Sequence, residues 1–366
     1  MTGDPRNQPN VWILEKSQCP LVALHERSAD LVVGGRVTAT NQAGVPKRSK
    51  KQHYVPQLHL RQFEGENPRG MLWVYEKGRP KPRPAKAKET AAENNFYSAQ
   101  TADGEWVDIL DDWLTDMEGR AAPVYEALLE GRIPEGQERA DFATFVSSLF
   151  VRTPAAIRAA AEVVGHGTQM INEMLTSSRE LFESHMNRYE EAEGPIGMSR
   201  DELWDFMSDK SGYTIQVSQK RGLSVMGASD RIQGVIFDLN WSILQTASSD
   251  DYFITGDMPV CRYTAGQIGG FFHPEVEVTL PLSPSCALLM SREPLSSPLY
   301  MPSELVWRFN EMRVHHAHRG VYSPRRDDRV QALVNLHRDS DSGFRVNGRR
   351  VGPEVEVLAR LPPKPE

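Results

Sequence analysis

Cysteine is scarce in this chain. There are three in 366 residues, Cys19, Cys261 and Cys286, with no CxxC pair among them. So odd and scattered a set argues against a disulfide framework and a thiolate zinc site, and fits reduced thiols in a cytosolic protein. Long apolar runs are missing too. Nothing approaches the ~18 consecutive apolar residues of a membrane helix. The start has no charged segment followed by an apolar one, the pattern of a signal peptide. A cytoplasmic location and no membrane partner are therefore expected. There is no basic excess: 42 Lys+Arg stand against 49 Asp+Glu, a formal net charge of −7. That excludes a globally basic nucleic-acid binder, so any contact with nucleic acid must come from local basic patches. The signatures of P-loop, Rossmann, zincin and α/β-hydrolase chemistry do not occur, nor does any internal repeat.

What is present supports a packed core. Hydrophobic residues make up 39% and charged residues 25%, the balance of a folded soluble chain, and the length suffices for one large domain or two ordinary ones. Residues 1–51 mix Pro, Gly, Asn and charge, and close on the basic run Lys47-Arg48-Ser49-Lys50-Lys51. They read as a flexible basic tail, with one apolar segment, Asp30 to Thr38, able to pair as a strand. Residues 52–338 read as a single α+β domain, mostly helical with a central or flanking antiparallel or mixed sheet. Its helical region covers about 105–239 and its strand-rich region about 240–291; residues 339–366 form a polar C-terminal tail.

Within that span Pro56 opens a helical turn that puts Leu60 and Phe63 on one face. Met71 to Glu76 (MLWVYE) reads as a strand. Gly78 to Lys88 alternates Pro with Lys and Arg, so it cannot enter a sheet interior and is expected as an exposed extended loop. Stripes at helical spacing run through Leu114, Met117, Ala121, Val124 and Leu128, and through Phe142, Phe145, Val146, Leu149 and Phe150. A third helix starts after Pro154 and runs toward Tyr189. Ser199 and Glu202 fit a capping box, and another helix is expected from Arg221 to Leu239. Strands follow at Trp241 to Thr246, Tyr252 to Thr255, Val276 to Leu282 and Ala287 to Met290. Ser303 is expected to cap a further helix, and a last one covers Asp327 to His337.

Four short stretches carry a resemblance. They are His53-Tyr54-Val55-Pro56-Gln57 with Leu60, Arg61 and Phe63; Glu93-Asn94-Asn95-Phe96-Tyr97; Phe253-Ile254-Thr255-Gly256-Asp257-Met258-Pro259-Val260; and Pro281-Leu282-Ser283-Pro284, with Asn310 and Val321-Tyr322-Ser323 downstream. In order and spacing, residues 51 to about 335 resemble the DUF4238 family of uncharacterised bacterial proteins. Gly256 and Met258 depart from the Ser and Asn that the resemblance would place there. The resemblance brings no established activity, but it implies that these stretches form a shared site.

The candidates for chemistry come from the same stretches. His53 and His59 flank Pro56, and an imidazole can ligate a metal or move a proton near neutral pH; equally, each can pack and hold the turn. Glu93 can ligate a hard cation or act as a base, or cap a turn. Asp257 follows an apolar run, where acids are often presented, yet Asp-x-Pro is also ordinary turn chemistry. Together His53, Glu93 and Asp257 would make a mixed site for Mg²⁺ or Mn²⁺. Gln57, Arg61, Tyr97, Lys81 and Arg83 are the candidate substrate contacts: Arg61 for phosphate, Lys81 and Arg83 along a nucleic-acid backbone, Tyr97 for stacking. Further cations stand at Arg325, Arg326 and Arg329; charge runs are also ordinary solvated surface. The pair His315 and His318 near a helix end is read chiefly as favourable helix electrostatics. Two functions follow. One is a divalent-metal-dependent hydrolase acting on phosphodiesters, nuclease-like. The other is a non-catalytic nucleic-acid- or protein-binding module, with bacterial defence compatible with either.

Overall fold

The computed structural model describes residues 11–13, 51–65, 70–100, 106–108, 110–195, 198–209, 214–216, 223–264, 270–340, 345–346 and 349–350. The segment expected to pair at 30–38, Cys19 and the basic run up to Lys50 lie outside them. In chain order the first elements are β1 (Val11–Ile13), β2 (Lys51–His53), α1 (Gln57–Arg61), β3 (Leu72–Glu76), β4 (Arg83–Ala85), a 3-10 turn (Ala87–Glu89), β5 (Ala92–Asn94), β6 (Ser98–Gln100) and β7 (Trp106–Asp108). Helices follow: α2 (Asp111–Leu129), α3 (Gly136–Val151), α4 (Pro154–Leu175), α5 (Arg179–Glu193) and α6 (Arg200–Ser208). Next come β8 (Thr214–Gln216), a 3-10 turn (Leu223–Ala228) and α7 (Ser229–Asp238). The remainder comprises β9 (Asn240–Thr246), β10 (Thr255–Gly256), β11 (Cys261–Tyr263), a 3-10 turn (Gly270–Phe272), β12 (Glu277–Ser283), β13 (Cys286–Ser291), β14 (Leu299–Met301), α8 (Ser303–His316), β15 (Gly320–Ser323), α9 (Asp328–Leu336), β16 (Arg345–Val346) and β17 (Arg349–Arg350). The fold is α+β.

The chain divides into two compact units, Met1–Ala43 with Arg158–Gly227, and Gly44–Ile157 with Ala228–Glu366. The span read from sequence as one domain thus contains a segment, 158–227, that groups apart. In that smaller unit Leu175, Phe182, Met186, Leu203 and Met207 bury one another, the apolar faces of α4, α5 and α6. The capping box at Ser199 and Glu202 is present with both bonds made.

The larger unit holds a five-stranded and a four-stranded sheet, besides two-stranded pairs such as β2-β5 and β6-β7. The five-stranded sheet has the order β11-β12-β13-β9-β14 and the four-stranded sheet β10-β15-β3-β4. Strands β12 and β13 form a hairpin through Pro284 and Ser285, and β14 adds to β9 in parallel. Helix α8 is apolar on two sides. Val306, Phe309 and Met312 pack with Leu244, Ala287 and Leu289 of the five-stranded sheet. Val314, with Ala317, packs with Tyr75, Val321 and residues of α9 against the four-stranded sheet. Helices α2, α3 and the start of β9 meet in an aromatic cluster, with Phe142 5.8 Å from Tyr125 and 5.9 Å from Trp241, both edge-on.

One buried chain of hydrogen bonds ties these parts together. The Tyr125 hydroxyl on α2 donates to the Leu282 carbonyl on β12 at 2.7 Å. Its proton is thereby committed, so its oxygen accepts from His59 Nδ1 on α1 at 2.9 Å. Nε2 of the same ring then accepts from the Thr255 hydroxyl on β10 at 2.7 Å. His59 is fully buried. Burial, then the charges of Arg313 and Arg152, push its pKa down to about 3, so the ring is neutral and both nitrogens have fixed roles. Of the two sequence options, packing is the one His59 takes.

Several expected boundaries moved. The long helix expected through Tyr189 breaks at Thr176–Ser178, because Ser178 turns to cap α5 and accepts from Leu181 N at 3.1 Å. Ser303 does not cap α8; its hydroxyl donates to Asp251 instead. Tyr252 to Ile254 is not strand: the Asn310 side chain accepts from Ile254 N at 3.0 Å and donates to Tyr252 O at 2.8 Å, standing in for a partner strand. The helix expected from Arg221 begins as the 3-10 turn and becomes α-helical only at Ser229. The Pro/Lys/Arg loop contributes the edge strand β4, with Pro84 opposite Trp73; an edge tolerates a proline that a sheet interior would not.

Replacing Tyr125 by Phe leaves the Leu282 carbonyl and the His59 N–H buried without partners. A loss of about 2–4 kcal/mol is expected, read as a lowered urea midpoint at an unchanged slope.

Candidate functional site

The resemblance stretches converge in the larger unit. Strand β2 pairs antiparallel with β5, placing Gln52 opposite Glu93 and His53 opposite Ala92. The chain then folds back, and the amides of Tyr54 and Val55 both turn to the Ala91 carbonyl. Ala91 and Asn95, at either end of β5, have φ of 52° and 55°, an uncommon conformation for residues with a Cβ. On the far side β10 pairs with β15, with Thr255 opposite Tyr322. Gly320 starts β15 so close to β3 that a Cβ there would lie 2.2 Å from the Tyr75 carbonyl oxygen. A Cβ on Gly256 would meet the Gly320 carbonyl at 3.1 Å, so glycine suits this position, where the resemblance would place Ser.

Asp257 leaves β10 and is almost wholly buried. Its own N–H donates to the Gly320 carbonyl at 3.1 Å. Its carboxylate takes the backbone N–H of His318 at 3.0 Å and of Arg319 at 2.5 Å. It therefore clamps the turn between α8 and β15. Burial raises its pKa to about 6, against the pull of those two N–H groups and of the Lys77 and Arg319 charges. Arg319 reaches from the clamped turn to Glu93 and forms an ion pair with it, both side chains partly exposed. The Tyr54 hydroxyl lies in the same field. Burial, then the Asp257 charge, push it to about 12, while Arg319 and a hydrogen bond with Tyr322 oppose that rise. Tyr322, fully buried, is held well above the usual phenol range.

The structure thus brings Glu93 and Asp257 into one group around Arg319, Tyr54 and Tyr322. His53 points elsewhere. Its pKa is lowered by burial first, the carbonyls of Lys88 and Ala87 face its ring, and its charge interactions run to Lys51 and Glu118. Among the described residues no group of three or more His, Cys, Asp or Glu is placed to hold a metal ion. Glu93 is paired with the Arg319 guanidinium, whereas Asp257 takes the backbone N–H of Arg319.

The remaining candidates separate. Tyr97 is fully buried: its hydroxyl donates to the Arg152 carbonyl at 3.2 Å and its N–H to Gln52 Oε1 at 2.7 Å, so it presents no face for stacking. Arg61 donates to Gln57 at 3.0 Å, one turn back on α1. Arg83 and Arg79 both pair with Glu76, and Lys81 between them is exposed. Arg325 and Arg329 lie 4.1 and 4.0 Å from the rings of Tyr252 and Trp307, and Asp327 caps α9 between them. His315 is buried, with its Nδ1 3.4 Å from that of His337. Arg319, Arg152, Glu118 and Gln52 were not singled out from sequence. The available signal was an arginine set among apolar residues, as in Phe150-Val151-Arg152.

Residues 51–327 match the family described as Protein of unknown function (DUF4238). The chain belongs to the DUF4238 family. No curated protein and no solved structure matches it. All four stretches that carried the resemblance lie within the DUF4238 span, and each supplies a member of the group around Arg319: Tyr54, Glu93, Asp257 and Tyr322 in turn. The fourth also supplies Leu282, the acceptor of Tyr125.

Asp257 binds a proton more readily folded, near pH 6, than unfolded, near the usual 3.8. Its contribution to stability is present below pH 3.8 and is lost as pH rises through 6. Compared with Asp257→Asn, the natural chain should lose on the order of 2–3 kcal/mol between pH 4 and 7. Parallel urea titrations across that range check it, and a flat difference would contradict it.

Proposed function

We propose that this DUF4238 chain is a non-catalytic binding module for a polyanionic partner, a nucleic acid foremost. The observation that carries this reading is how its acidic groups are engaged. Asp257 holds backbone N–H groups, Glu93 holds Arg319, and Glu76 is shared by Arg79 and Arg83. Lys81 between them is exposed, so this stretch carries more cations than carboxylates and the β4 edge of the four-stranded sheet stays net positive. Lys86 and Lys88 continue the exposed basic strip, which ends beside His53. Phosphates would replace counterions along such a strip. A cytoplasmic address suits this reading: Cys261 and Cys286 are both buried as free thiols. Among the described residues no helix is long and apolar enough to cross a membrane.

A second reading is metal-dependent hydrolysis of phosphodiesters. It is favoured by the gathering of Glu93 and Asp257 beside a guanidinium, with Asp257 titrating near neutrality. A bound Mg²⁺ or Mn²⁺ would supply a polarised phosphate and an acidified water. Glu93 would have to leave Arg319 to take part, His53 would act as base from outside the group, and Arg61 would hold phosphate. Either chemistry would serve a defence effector.

Gel shifts with single- and double-stranded RNA and DNA test the binding reading. Retention should weaken by about tenfold or more between 50 and 200 mM salt, and again in Lys81→Glu/Lys86→Glu/Lys88→Glu. Equal retention by that variant, or none at low salt, would overturn it. Cleavage of the same substrates with Mg²⁺ or Mn²⁺ that Asp257→Asn abolishes would establish the second reading in its place.

A further inference from the structure

The interior of the larger unit contains a guanidinium with more donors than acceptors. Arg152 closes α3, and its side chain is fully buried. Nη1 pairs with Glu118 on α2 at 2.8 Å. Nε and Nη2 are buried and meet no acceptor among the described residues. These two nitrogens lie along one edge of the planar group, the edge that grips two oxygens of a carboxylate or phosphate side by side. A buried donor pair left unanswered is unfavourable, and Glu118 already occupies the opposite end.

His53 adds a second unanswered atom. Glu118 raises its pKa, so the ring lies within the field of the same carboxylate. One ring nitrogen is held by the carbonyls of Lys88 and Ala87; the other, Nε2, is buried without a partner among the described residues. His53 is half-buried and Glu118 is 30% exposed, whereas the Arg152 side chain is fully buried. Lys51, on the same strand as His53, adds positive charge. This cluster is separate from the Asp257–Arg319–Glu93 group.

We propose that Arg152 and His53 form an oxyanion site that takes the phosphate group of a small ligand. The Nε–Nη2 edge holds two phosphate oxygens, and His53 Nε2 meets a third. A carboxylate, with two oxygens, satisfies Arg152 but leaves His53 unanswered, so phosphate is the better fit. Binding draws a proton onto Nε2, which turns from acceptor to donor. Arg152, His53 and Lys51 then offset Glu118 and the ligand. The groups facing His53 are Lys51 on β2, Glu118 on α2 and the backbone of Ala87 and Lys88 in the 3-10 turn. Burial, then the Lys51 charge, disfavours its protonation in the empty site against the pull of Glu118 and the two carbonyls, so affinity rises as pH falls from 8 to 6.5. This site does not rest on the polyanion reading: it can bind phosphate whether or not the basic strip binds nucleic acid.

Calorimetry on the full chain with inorganic phosphate, and separately with acetate, at pH 6.5 and 8.0 tests the proposal. Phosphate should bind about tenfold more tightly at pH 6.5 than at 8.0, and acetate more weakly than phosphate at both. His53→Gln keeps a neutral polar side chain at a half-exposed position; it should fold normally and abolish the pH dependence. Arg152→Lys should remove phosphate binding where it folds. The His53 imidazole nitrogen resonances, followed by NMR, should move to the protonated range on adding phosphate. No phosphate heat at pH 6.5, unchanged binding or pH dependence in His53→Gln, or acetate binding as tightly as phosphate would overturn it.

Discussion

The neutral imidazole of His59 is the constraint on which the larger unit depends. It connects four elements with two hydrogen bonds and one relay: α1 through its own backbone, β10 through Thr255, and α2 and β12 through Tyr125. Those strands belong to different sheets. Without the ring, the sheets would still share α8 as an apolar spacer, but their polar edges would face one another unpaired. Because every proton in the relay is assigned, the arrangement admits one tautomer and one orientation. A fully satisfied buried network of this kind favours a single packing over alternatives.

A second device sits one residue beyond the first. Thr255 answers His59, and Asp257 clamps the turn that presents Arg319. The segment Thr255-Gly256-Asp257 thus joins the packing of the core to the charge distribution of the surface. Its middle residue has little room for a side chain, because β10 and β15 come together over Gly256 and Gly320. Charges are gathered on both sides of β2 and β5: Asp257, Arg319 and Glu93 in one group, and Glu118, Arg152 and His53 in the other. Two buried phenols mark the two groups: Tyr54 feels the charges of the first, and Tyr97 those of Arg152 and Glu118 in the second. The strained Ala91 and Asn95 bracket this ribbon, as strain often does near functional positions.

Much of the secondary structure was legible because periodicity reports burial directly. The stripes through Met117 and Val124 and through Phe142 and Phe145 became α2 and α3 with those faces inward, and the Ser199–Glu202 pair capped α6. Three of the departures share a cause. Ser178, Ser303 and Asn310 are short polar residues whose side chains choose between backbone partners near in sequence and others brought close only by folding. Ser178 took the local partner and ended a helix; Ser303 and Asn310 took distant ones.

By itself the sequence determined the family, the α+β class and the stretches that carry the site, because motifs and periodic burial are local in the chain. It named His53, Glu93 and Asp257 as chemically capable, but it did not determine which of them share a field. Only the tertiary structure decided that Glu93 and Asp257 meet through Arg319, that His53 turns to Glu118 beside Arg152, and that His59 is a core hydrogen-bond bridge. Long-range pairing, Gln52 with Glu93 and Thr255 with Tyr322, sets those neighbours, and a side chain's ionisation and partners follow from its neighbours in space.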